Sequence, residues 1–241
     1  MITQAAFELR LLLRNGEQLL LTIVIPVALL LAVTYVQAVP LDAPAGAARL
    51  PLALGGVLAV AVIASAFTSL AISVGFDRRS GALVMLATTP LSRLSILGAR
   101  ILATLAVVVL QVIVLSALAL ALGWRPTWAA LALLPAAVAG TATFAALGFA
   151  LGGAVRAEAT LAIANAAFLA LVAVGGTTFP TTDLPEPLAA VVSVLPSAAL
   201  GDLLRWAAGS GAAIGLAVDV ALLVAWGLAG ALVARRTFAW R

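Results

Sequence analysis

Three reactive side chains are missing from this 241-residue chain: it has no Cys, no His and no Lys. Without Cys or His there is no disulfide, no thiolate nucleophile, no imidazole base and no ordinary zinc site. Without Lys, neither the Gly-Lys-Ser/Thr end of a phosphate loop nor a lysine Schiff base can form. ATP hydrolysis by that route is excluded. Charge is also scarce, at 9% of residues, where soluble domains carry roughly 25%. The remainder is 65% hydrophobic, too little polar surface to coat a water-exposed globule. Its thirteen Arg and nine acids give a net charge of +4, and the Arg are scattered between apolar segments rather than clustered as in a nucleic-acid-binding protein. The composition is that of an integral membrane protein.

A bilayer core of about 30 Å takes about 20 residues of helix. Six stretches qualify: 19–36, 50–76, 101–122, 129–153, 159–176 and 211–233. They are too long and too uniformly apolar for barrel strands, so the expected fold is all-α with six transmembrane helices. They fill more than half the chain and leave only short loops, so residues 1–241 read as a single transmembrane domain. Residues 187–201 are apolar but broken by Pro196. They are expected to form an outer re-entrant helical hairpin within 177–208. Val36-Gln37-Ala38 resembles a signal-peptidase site. The long polar lead containing Glu8 and Glu17 instead favours a retained first span.

With six spans and both termini inside, ten Arg fall on the cytoplasmic side and only Arg49, Arg125 and Arg205 outside. That bias sets the orientation. Tyr35, Trp124, Trp128 and Trp206 then fall at the outer interface, and Phe238 and Trp240 at the inner one. Residues 2–18 carry Ile2, Ala5, Leu9, Leu12 and Leu13 on one helical face, with Glu8, Arg10 and Arg14 on the other. This predicts an amphipathic helix lying in the inner interface.

The longest inward loop, 77–100, has charged ends and an apolar middle: Asp77-Arg78-Arg79-Ser80-Gly81 leads through Leu83, Met85 and Leu86 to Thr89-Pro90-Leu91-Ser92-Arg93. By pattern it either presents its apolar side chains to a cytoplasmic protein or folds back on the membrane. The first span contains Pro26. Phe179-Pro180, Leu184-Pro185, Leu195-Pro196 and Leu204-Arg205 precede the last span. This ordered set resembles the transmembrane subunit of ABC-2-type transporters, in particular the drug and antibiotic exporters. Ala82 and Val84 replace the Thr and Glu that the family often has in the loop.

The resemblance implies that 77–100 is a coupling loop, with Asp77, Arg78, Arg79, Gly81, Leu83, Met85, Leu86 and Pro90 engaging an ATPase. It implies two copies of a separate ABC ATPase holding ATP and magnesium, and a second permease subunit, identical or related. It also implies a bacterial cell membrane location, with membrane lipids as surroundings. This chain would be no enzyme and would bind no cofactor, metal or nucleic acid. The expected cargo is a small amphipathic drug or antibiotic; the alternatives are lipid, glycan or haem-like cargo, or a secondary transporter driven by an ion gradient.

Polar residues inside spans are costly and mark either a pathway or a contact between helices. Gln111 at the centre of the third span, Asn165 in the fifth and Asp219 near the middle of the last are the candidate pathway-lining residues. Ser65, Thr68, Ser69 and Ser73 give the second span a polar stripe.

Overall fold

The structure, a computed structural model, describes residues 16–36, 46–81, 93–177, 185–210 and 215–237. Every regular element among them is a helix. α1 covers Gly16–Tyr35 with Pro26 inside it. α2 is continuous over Ala47–Arg79. It opens with a tight 3-10 turn that leads into Pro51, whose missing N–H costs nothing in a first turn. It widens into a π-helical segment at Ala64–Ser69. α3 is Arg93–Ala121, and a 3-10 turn, Trp128–Ala132, leads into α4, Leu133–Ala154. α5 is Ala157–Val174 and α8 is Leu216–Thr237. Between them α6, Glu186–Val192, and α7, Pro196–Ala208, are bent by 89°.

α2, α3, α4, α5 and α8 are each long and apolar enough to cross a membrane. The chain is an all-α integral membrane protein. Several helices outrun the expected spans. α3 begins at Arg93, so residues 93–100, expected in the inner loop, are helical. α2 runs on to Arg79 and stops where Gly81, at φ +74, takes the left-handed conformation that closes a helix. Hydropathy marks only the lipid-buried part of a helix, whereas the backbone hydrogen bonds continue until a residue interrupts them. Residues 2–15 of the expected interfacial helix, with Glu8, Arg10 and Arg14, lie outside the described residues.

α2 is central. Its first half packs on α7 and its second half on α4 and α5, while α4 and α8 form the most extensive helix pair. Leu54, Leu58, Ile63, Phe144, Leu200 and Leu204 are fully buried in the resulting core. The Gly148-xxx-Gly152 spacing on α4 is used directly. A Cβ at 148 would stand 2.8 Å from the Phe67 carbonyl oxygen, and one at 152 would stand 2.6 Å from that of Ala71. Small residues let helix backbones approach this closely in a membrane, and here they seat α4 on the π-helical stretch of α2.

The bent pair returns to the end of the bundle it left. Near the end of α7, Arg205 touches the carbonyls of Gly176 and Thr177, where the chain leaves α5. At the bend, the Val194 carbonyl accepts a hydrogen bond from Trp226 Nε1 at 2.9 Å. Trp226 is about 15 Å along α8 from its first residue. The bend therefore reaches the middle of the bundle, and α7 climbs back out. The described part of 177–208 thus ends where α5 ends.

Candidate functional site

A half-open groove of about 650 Å³ runs between α1, α2 and α3, with Phe168 of α5 at its side. That volume is within the range of small-molecule sites. Most of its wall is apolar, from Ile25, Pro26, Val57 and Val60. Ser65, Ser69 and Ser73 of α2, spaced by four, add a line of hydroxyls. Two of the three, Ser65 and Ser69, sit in the π-helical segment, a distortion often found at functional positions.

Gln111 lines this groove and also ties its three helices together. Its Nε2 donates to the Thr22 carbonyl of α1 at 3.0 Å and meets the Ser65 hydroxyl of α2 at 3.3 Å. Burial to 3% exposure makes those partners necessary, because a buried unsatisfied amide is expensive. Gln111 is thus a contact between helices that also borders the groove. Arg100, one of the ten Arg expected at the inner face, lines the groove too. Its spacing to Thr104, Val107 and Gln111 puts all four on one face of α3. That periodicity was the available signal.

Arg100 also belongs to the root of the loop. Its Nη2 pairs with the Asp77 carboxylate, joining α3 to the last turn of α2. Arg78 Nη1 donates to the carbonyls of Gly153 at 2.6 Å, Gly152 at 3.1 Å and Val155 at 3.3 Å. These are carbonyls from the end of α4 with no partner further along the helix, and a cation there also meets the negative end of the helix dipole. Arg79 pairs with Glu158, in the first turn of α5, at 2.5 Å. Three consecutive charged residues thus bind α2 to α3, α4 and α5 in turn. Gly81 forms the turn by which the loop leaves α2. Leu83, Met85, Leu86 and Pro90 lie outside the described residues.

The other end of the bundle departs from expectation. Arg205, Arg49 and Trp124, expected at a watery interface, are buried. Arg205 donates to the Thr177 and Gly176 carbonyls at 2.9 and 2.8 Å and pairs with Asp202 at 2.6 Å. Trp124 Nε1 donates to the Ala208 carbonyl at 2.8 Å. Both side chains satisfy carbonyls at helix ends, a role that hydropathy cannot reveal. Trp128 and Trp206 stack edge to face there, with centroids 5.6 Å apart.

Asp219 is not near the middle of its helix. It sits in the first turn of α8, its N–H bonded to the Gly215 carbonyl, because Gly215 at φ +92 turns the chain just before the helix starts. Asn165 is exposed on α5. Neither residue lines the groove.

The chain is thus an apolar helical membrane bundle holding a half-open, hydroxyl-lined groove. The sequence profile of the ABC-2 family transporter proteins matches residues 37–235, and the chain belongs to that family. Permeases of this family work with an ABC ATPase. A search of curated proteins finds none that matches the chain.

Proposed function

We propose that this chain is the permease subunit of an ATP-driven exporter and that the groove between α1, α2 and α3 is the path of a small amphipathic cargo. The groove itself carries the reading: an apolar wall with spaced hydroxyls and one amide suits a drug-like or antibiotic molecule. Lipid, glycan or haem-like cargo is the alternative. A secondary transporter would need titratable groups along its path, and Arg100 is the one charged side chain in the described wall.

In this proposal the chain crosses a bacterial cell membrane six times with both termini in the cytoplasm, as the distribution of Arg favours. Two ATPase copies, holding ATP and magnesium, bind the inner face, and a second permease subunit completes the path. Residues 77–92 engage the ATPase, and within them Asp77, Arg78 and Arg79 pass the displacement to α3, α4 and α5 through their ion pairs and hydrogen bonds. Coupling requires the loop to contact the ATPase differently in its two states.

Co-purification tests the proposal. Leu86→Asp should release the ATPase while helix content by circular dichroism stays unchanged. Undiminished association would remove the loop from the coupling role.

A further inference from the structure

The groove is not uniform along its length. Arg100 and Ser73 stand at one end, Ser65 and Gln111 in the middle, and Val57 and Val60 toward the other end. From residue 73 to residue 57 this covers about 24 Å of α2. At the polar end Arg100 Nη1 lies 3.2 Å from the Ser73 hydroxyl, which is exposed. The Arg100 side chain is 10% exposed, and its Nε–H has no acceptor among the described residues. Asp77 takes Nη2, but its own side chain is the more exposed of the pair at 26%. A guanidinium presents five donors in a planar fork; the Nε–H is enclosed, whereas Nη1 and Nη2 each meet one described partner and keep a second hydrogen at the groove that Arg100 lines.

We infer that the groove takes an anionic amphiphile, whose carboxylate or phosphate head lies against the Arg100–Ser73 pair and whose apolar tail lies along Pro26, Val57, Val60 and Phe168. The acidic oxygens accept from Arg100 and Ser73, giving charge-assisted bonds in a mostly apolar setting, where they are strongest. A cationic head would instead face the guanidinium directly. The apolar wall explains why the tail is needed: a free anion would gain the head contacts and leave the rest of the groove empty. The inference rests on the groove being the cargo path, and it narrows that cargo by charge.

The test is binding of radiolabelled dodecyl phosphate to the full-length permease in nanodiscs of zwitterionic lipid, against dodecyltrimethylammonium. The phosphate should bind about tenfold tighter or more, as a charge-assisted contact implies. Arg100→Gln should abolish or reverse that preference, because phosphate loses its charge-assisted partner while ammonium loses a repulsive one and gains the unpaired Asp77 carboxylate. Val60→Phe, which fills the groove and keeps the Arg100–Asp77 pair, should weaken both ligands. If Arg100→Gln does not fold, Ser73→Ala should still weaken phosphate binding selectively.

Equal affinity for the two heads would overturn the inference, as would full phosphate affinity in folded Arg100→Gln. Displacement by millimolar inorganic phosphate would also overturn it, by making the site one for a free anion. Repeating the measurement with phosphatidylglycerol in the disc separates two sources of the same chemistry. Competition assigns a bilayer lipid, and its absence assigns a soluble amphiphile. None of these measurements needs the ATPase. Loss of binding selectivity would therefore leave the coupling proposal standing, and retained ATPase association in Leu86→Asp would leave the binding result standing.

Discussion

Gly55 on α2 lies so close beneath Arg205 on α7 that a Cβ at position 55 would come within 2.6 Å of the Arg205 Cα. This contact brings the second arm of the bent pair against the central helix. It also sets the height at which the Arg205 guanidinium meets the Gly176 and Thr177 carbonyls.

Gly55→Ala should therefore destabilise the protein. Backbone atoms cannot swing aside as a flexible side chain can, and overpacking of this kind costs about 1–3 kcal/mol. A lowered midpoint of thermal unfolding in detergent, followed by tryptophan fluorescence, would register it. An unchanged midpoint would mean that α7 does not approach α2 this closely.

Arg78 and Arg79 are neighbours in sequence but should differ sharply on substitution. Arg78→Ala strips the end of α4 of its donor, and leaving such carbonyls unpaired costs about 1–3 kcal/mol. Arg79 and Glu158 are 61% and 64% exposed, so Arg79→Ala should change stability by less than about 1 kcal/mol. Hydrogen exchange read across residues 152–158 should accelerate in the first variant and not in the second.

Gln111→Leu keeps the volume of the side chain but removes its hydrogen bonds to α1 and α2. At about 0.6 kcal/mol per bond on average in membranes, the loss is about 1 kcal/mol. Stability should fall slightly, while the groove becomes more apolar. Binding of a polar-headed amphiphile should drop more than that of a plain hydrocarbon. Equal losses for both would show that Gln111 acts only as a tie between helices.

Asp219→Asn should leave transport intact in proteoliposomes containing the permease and its ATPase. The residue sits in the first turn of α8 and outside the groove, so its charge lies off the proposed path. A substantial loss of transport would return Asp219 to the pathway.

The apolar runs were legible because a bilayer makes a local demand: each crossing needs its own continuous hydrophobic segment. The break at Pro196 likewise marked the bent pair, since proline has no N–H to continue the helix. The groove was half legible. Ser65, Ser69, Ser73 and Gln111 stand out as polar residues within spans, but nothing in hydropathy says that they face one another. Asp219 stands in a first turn rather than mid-helix because an apolar run does not reveal the turn at Gly215. The burial of Trp124 and Arg205 was not legible, because a polar side chain near a span end looks the same whether it meets water or a carbonyl.

By itself the sequence determined that this is a helical membrane protein without the side chains for catalysis by thiolate, imidazole or lysine, and it carried the ordered pattern of a transporter family. Tertiary structure alone decided which faces turn inward. α2, with 61% of its apolar window buried, and α8, with 11%, are both strongly hydrophobic, because lipid and protein interior select the same residues. Tertiary structure also decided which charges meet. Asp77 with Arg100, Arg78 with the end of α4 and Arg205 with the end of α5 are pairings between helices. They depend on where whole helices sit, and no local spacing encodes that.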